Sequence, residues 1–311
     1  MRELTLYQKT IVSILWLCVL TGCTTYEARD HLTSGANYLE LGDTDLAMVE
    51  FKKALKIEPH NTTALVRLGQ AYEKKGMTDE AIAEFQKAIS YNPKSANAQA
   101  ALGLAYARKG MLDDAIIQYL KVIDIYPGFA EPYFMMGLAY GENDMLKKAI
   151  ISFRRAADID PEYTEAHLYL GLAYDTIGNT EGAIQEFEKV LELRPHDAVA
   201  TINLAATYTN LAIEYEQKGL LNEAIFNLQR AVAINQGLLD AHMHLGRIYE
   251  KKEMLQEAMS EYQQVISLDP GFPDAHKQLA EALKRVGLYN MAEKEAEIHK
   301  NLTKSMEMEK R

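Results

Sequence analysis

Residues 130–163 read AEPYFMMGLAYGENDMLKKAIISFRRAADIDPEY, and residues 164–197 read TEAHLYLGLAYDTIGNTEGAIQEFEKVLELRPHD. Laid one over the other, they place Gly137 on Gly171, Tyr140 on Tyr174, Ala149 on Ala183, Phe153 on Phe187 and Pro161 on Pro195, each 34 residues apart. The same step runs back through Gly103, Gly69 and Gly35, and through Tyr106, Tyr72 and Tyr38. Ala115, Ala81 and Ala47 follow it, as do Tyr119, Phe85 and Phe51, and Pro127, Pro93 and Pro59. Five columns in one register make an internal repeat, and a fixed period of this length signals stacked supersecondary units.

The residue types describe a pair of helices. A small residue at repeat position 8 lets two helices approach closely. Tyr at position 11 lies on the same face, and its ring is expected to fill the space beside the small residue. Pro at position 32 has no N–H to donate and ends the second helix. Gly42, Gly76, Gly110, Gly178, Gly219 and Gly287 fall near the turn between the helices, where a left-handed residue is useful.

This pattern resembles the tetratricopeptide repeat, a helix–turn–helix of 34 residues with a small residue at position 8, Tyr at 11, Ala at 20 and 27, an aromatic at 24 and Pro at 32. The resemblance implies an all-α fold, a right-handed superhelical solenoid of about eight helix–turn–helix repeats. The repeats are expected near 28–61, 62–95, 96–129, 130–163, 164–197, 198–238, 239–272 and 273–300, the last a polar cap, with a charged tail over 301–311. The sixth departs from the period. From Ala183 to Ala224, and from Tyr174 to Tyr215, is 41 residues, so seven have been inserted. Seven residues are close to two helical turns, and the first helix of that repeat is expected to be longer by about 10 Å.

Ahead of the repeats stand Arg2, Lys9 and an eleven-residue apolar run from Thr10 to Leu20. The run is too short to span a bilayer, which takes about 17–25 residues, and has the length of a signal-peptide core. Leu20-Thr21-Gly22-Cys23 follows and resembles the lipobox of bacterial lipoproteins. The resemblance implies removal of residues 1–22, a covalent lipid on Cys23 and a short spacer to residue 27. Thr24 in place of Asp implies sorting to the outer membrane, facing the periplasm. An ordinary signal peptide with an incidental cysteine is the alternative. Two or more acyl chains give stable anchoring, at about 0.8 kcal/mol per buried CH₂.

Chemistry is hard to place on this chain. Its cysteines, Cys18 and Cys23, both lie at the N-terminus, so the repeats can form neither a disulfide nor a thiolate metal site. The net charge is −11, and no Lys/Arg block offers a nucleic-acid footprint. There is no phosphate-binding loop, zinc-binding helix motif or nucleophile elbow. His167, His242 and His276 share repeat position 4, but equivalent helices are too far apart for two imidazoles to hold one metal ion. No enzyme activity, small-molecule substrate, metal or cofactor is therefore expected.

What remains is binding. In tetratricopeptide proteins positions 2, 5, 9 and 12 of the first helix line a concave groove, and here they include Ala100, Leu104, Phe134, Leu138, Leu168, Leu172 and Ile213. In the last two repeats they become charged, with Asp240, Arg247, Glu250, Lys277, Glu281 and Lys284. An apolar strip of this kind is expected to receive an apolar segment of a partner protein, the alternative being burial against neighbouring repeats. The carboxylate clamp of chaperone-tail binders is missing, since Leu32, Ala36, Val66 and Gln70 stand at positions 5 and 9 of the first two repeats. An acylated cysteine followed by these repeats also resembles the pilotin-type lipoproteins of type IV pilus biogenesis. That implies a membrane-anchored scaffold for envelope proteins, assisting pilus or secretin assembly. A general envelope adaptor recruiting cell-wall enzymes, proteases or polysaccharide-export components is the alternative.

Overall fold

A computed structural model describes residues 26–309, and the leader, Cys23 and the first half of the short spacer lie outside them. Among the described residues there are sixteen helices and no strand. The helices form two compact units, one running to Pro161 and one from Glu162.

In the N-terminal unit the helices are α1 (residues 26–40), α2 (Thr44–Ile57), α3 (Thr62–Lys74), α4 (Thr78–Tyr91), α5 (Ala96–Arg108), α6 (Leu112–Ile125), α7 (Ala130–Glu142) and α8 (Leu146–Ile159). From α2 to α8 each consecutive pair of helices packs together, and α3, α5 and α7 also touch in a row. The first helices of successive repeats thus share one face of the unit.

The C-terminal unit holds α9 (Thr164–Thr176), α10 (Thr180–Leu193), α11 (Ala198–Gln217), α12 (Leu221–Ile234), α13 (Leu239–Lys251), α14 (Leu255–Leu268), α15 (Pro273–Arg285) and α16 (Tyr289–Glu309). Its first helices α9, α11 and α13 touch in the same way. α11 has 20 residues where α9 and α13 have 13, so the inserted residues sit in this one helix. α16 runs on to Glu309, through most of the segment expected to be a separate charged tail. Its solvated Glu, Lys and Met residues are good helix formers and continue the last turn.

The ends of the helices follow from local chemistry. Asn61, Ser95 and Asp197 accept from the backbone N–H groups of Ala64, Ala98 and Ala200, capping α3, α5 and α11. Each first helix closes on a left-handed residue. After α3, Gly76 at φ +72° allows Met77 N–H to reach the Tyr72 carbonyl at 2.9 Å and Gly76 N–H to reach Glu73 at 2.9 Å. Asp144 (φ 55°) and Glu253 (φ 60°) hold the same position without glycine, at a cost that the closed turn must offset.

In each unit the core is built of small-against-large contacts. A Cβ added to Gly69, Gly137 or Gly171 would lie 2.4, 2.5 or 2.7 Å from the ring of Phe85, Phe153 or Phe187. Gly35, Gly103 and Gly246 face Phe51, Tyr119 and Tyr262 in the same way. The ring that occupies the space beside the position-8 glycine is therefore the second helix's aromatic, and the expectation that Tyr at position 11 fills it is corrected. The position-11 side chain of α3 stays half-buried, and that of α5 holds its hydroxyl 3.0 Å from Gln86 Nε2 of the preceding repeat. Repeat six keeps the volume balance with other residues. Ala205 and Ala212 replace glycine, and Leu228, fully buried, replaces the ring.

Candidate partner-binding grooves

In the N-terminal unit, α3, α5 and the turn between α6 and α7 enclose an open groove of about 1390 Å³. Its walls include Val66 and Gln70 from α3, Ala100 and Leu104 from α5, and Tyr126 and Phe129 from the turn. Tyr126 and Phe129 are 56% and 53% exposed, so two aromatic rings stand open to solvent at its edge. Large apolar side chains left in water beside a concavity mark a surface with a partner.

The anticipated groove residues fall in different places. Ala100 and Leu104 line this groove, half-buried. Phe134 is 8% exposed, and its ring lies 5.7 Å from that of Phe153, tilted by 47°. It packs in the core of its own repeat, because position 5 of α7 sits over the ring at position 24. Leu138, two residues short of Tyr140, is half-buried on α7 and outside the groove's lining. In the C-terminal unit Leu168 and Leu172 on α9 and Ile213 on α11 are half-buried. Asp240, Arg247, Lys277, Glu281 and Lys284 are exposed.

A second pattern runs along the first helices. Glu73, Glu216 and Glu250 stand at repeat position 12, and each pairs with a cation 35 residues later. Glu73 holds Arg108, Glu216 holds Lys251 at 2.6 Å, and Glu250 holds Arg285 at 3.6 Å. Burial would raise the Glu216 carboxyl, but Lys251 and His244 hold it below the usual carboxylate range. The cation ends of these pairs are exposed, so the pairs set register between repeats more than they stabilise.

The histidines have a structural partner. His31, His167, His242 and His276 each place Nδ1 2.6 Å from a glutamate 19 residues on: Glu50, Glu186, Glu261 and Glu295. The signal for this pairing is the spacing itself, His at position 4 and Glu at position 23 of the same repeat. Among the described residues no cluster of three or more His, Cys, Asp or Glu is placed to hold a metal ion. His242 also sets Nε2 3.2 Å from the Gln236 carbonyl, so both ring nitrogens face acceptors. The bond to Glu261 raises its pKa, burial opposes the rise, and the Gln236 carbonyl adds to it. A pKa raised by folding stabilises the fold fully below the unfolded value, about 6.5, and the gain is lost as pH climbs through the folded value. The melting temperature is therefore expected to fall as pH is raised from about 6 to about 9. In His242→Gln that part of the slope should vanish, as thermal melts across the range would read.

No helix among the described residues is long and apolar enough to cross a membrane. Tetratricopeptide repeat family profiles match residues 38–101, 134–198, and 96–129, 205–237 and 239–272. No curated protein matches the chain. Among solved structures, MamA (residues 41 to the end) from Desulfovibrio magneticus RS-1 is 25% identical, with 55% of this chain and 98% of that chain covered and a TM-score of 0.51. The C-terminal part of a TPR repeat-containing protein from Cytophaga hutchinsonii is 17% identical, covers 80% of this chain and 99% of its own, and has a TM-score of 0.64. A tetratricopeptide repeat protein from Parabacteroides merdae ATCC 43184 is 17% identical over 83% of this chain and 99% of its own, with a TM-score of 0.52.

Proposed function

Because the chain belongs to the tetratricopeptide repeat family, we propose that it is a non-catalytic scaffold for partner proteins, held at a bacterial envelope membrane by a lipid on Cys23. The observation that carries the binding role is the open groove on α3 and α5, with exposed aromatic rings at its edge. Repeats of this kind bury their own cores by stacking and leave a continuous face for another polypeptide. The half-buried leucines Leu138 and Leu172 extend an apolar first-helix surface within each unit.

The anchoring rests on the leader and Leu20-Thr21-Gly22-Cys23. We place the protein on the periplasmic side of the outer membrane, where a lipid-held scaffold would assist assembly of a pilus or its secretin. Cys23→Ala is expected to move the protein from the membrane to the soluble fraction of lysed cells and to end incorporation of tritiated palmitate. An unchanged membrane fraction would remove the lipid from the account.

The partner role is tested by crosslinking in the native host, followed by capture of the protein and of a variant carrying Leu138→Asp and Leu172→Asp together. A secretin or pilus component captured by the native protein and lost in the variant is the expected result. Cell-wall enzymes or export components in its place would make the protein a general envelope adaptor. A variant that stays helical by circular dichroism and keeps every partner would show that these leucines bind nothing.

A further inference from the structure

Two buried polar atoms lie in the wall of the N-terminal groove with no hydrogen-bond partner among the described residues: Glu73 Oε1 and the Tyr119 hydroxyl. The Glu73 side chain is 10% exposed and the Tyr119 residue 2% exposed. A buried donor or acceptor left unpaired is costly, and native structures rarely keep one without a use.

Repeat seven shows how the same two positions look when complete. There Glu250 at position 12 and Tyr262 at position 24 belong to one repeat, and the Tyr262 hydroxyl donates to Glu250 at 2.8 Å. In repeats two and three the pair is split. Repeat two keeps the carboxylate, Glu73, but has Phe85 where the phenol would be. Repeat three keeps the phenol, Tyr119, but has Ala107 where the carboxylate would be. Each half is left in the wall of the groove without its complement.

We propose that these two groups bind the backbone of an extended partner segment, Glu73 accepting a peptide N–H and Tyr119 donating to a peptide carbonyl. The inference rests on the scaffold reading above and names what its N-terminal groove takes. Glu73 already holds Arg108 through Oε2, so the pair is close to neutral and a second cation would meet the guanidinium. A neutral donor suits the free oxygen better. Burial, with help from Glu142 and Glu131 and against Arg108, pushes the Tyr119 phenol up to about 12, so it remains a donor at neutral pH. A peptide backbone is the common group that offers a neutral donor and an acceptor together. Val66, Leu104 and Phe129 around them would take the segment's apolar side chains.

The test uses the full chain in detergent micelles and one peptide selected on it from a pool of random dodecapeptides. Affinity is read by fluorescence anisotropy and stability by thermal melting. Tyr119→Phe should weaken the peptide about tenfold, as loss of one buried hydrogen bond implies, while melting no lower than the native protein. Ala107→Glu and Phe85→Tyr rebuild the repeat-seven pair around each orphan. Both should raise the melting temperature and weaken the peptide. That combination separates a closed binding site from a damaged fold. Equal affinity in Tyr119→Phe and Phe85→Tyr overturns the inference. If Leu104→Asp nevertheless abolishes binding, the groove still binds partners and only the backbone contacts are wrong. A pool that yields no binder, or self-association of the chain that Leu104→Asp abolishes, also overturns it, while partner capture in cells judges the scaffold reading separately.

Discussion

Gly137→Leu is expected to unfold repeat four and to cost the protein more than about 3 kcal/mol, at the upper end for an overpacked core. The reason is geometric. A Cβ on residue 137 would already sit 2.5 Å from Phe153 Cε1, and the Phe153 residue is 4% exposed, so its ring has little room to yield. Leucine adds three more carbons along that line. Gly137→Ala should show the sign of the conflict more finely, since alanine gains up to about 1 kcal/mol of helix propensity and loses more to the clash. The rescue is written in the chain itself, because repeat six combines alanine with Leu228. Phe153→Leu in the Gly137→Ala background should recover much of the loss, and a double-mutant cycle of melting temperatures measures the coupling. Strict additivity would mean that the two residues do not share a contact.

Phe187→Ala is expected to cost about 3–5 kcal/mol, because it removes a whole ring from a site with no exposure at all. The cavity opens against Gly171, whose missing Cβ now faces the ring at 2.7 Å. Gly171→Ala should therefore destabilise the native protein yet be neutral or stabilising once Phe187 is gone. Denaturant titration of the four proteins reads this directly. A Gly171→Ala effect of the same size in both backgrounds would show that the glycine is kept for something other than the ring.

The helical repeat was legible because its signal is redundant. Gly, Tyr, Ala, an aromatic and Pro each recur at the same step, and no single substitution hides the period. Which ring fills which gap was less legible. Position 11 lies near position 8 along one helix, and the sequence shows that proximity. Position 24 reaches the same gap only through the packing of the second helix on the first. The polar groups in the groove wall were harder still. Glu73 and Tyr119 are ordinary residues in their columns, and their unpaired state appears only when Phe85 and Ala107 are seen not to complete them. Phe134 shows the limit of a groove list made by position, since a large ring at position 5 turns into the core where a small Ala100 stays at the surface.

On the reading proposed above, the first-helix faces bind a partner polypeptide. Hydrogen–deuterium exchange of the protein with and without its captured partner tests it most directly. Added protection is expected on α3, α5, α7 and α9 and on the Tyr126–Phe129 turn, with α4, α6 and α8 unchanged. Protection confined to the second helices, with the groove exchanging as before, would contradict it.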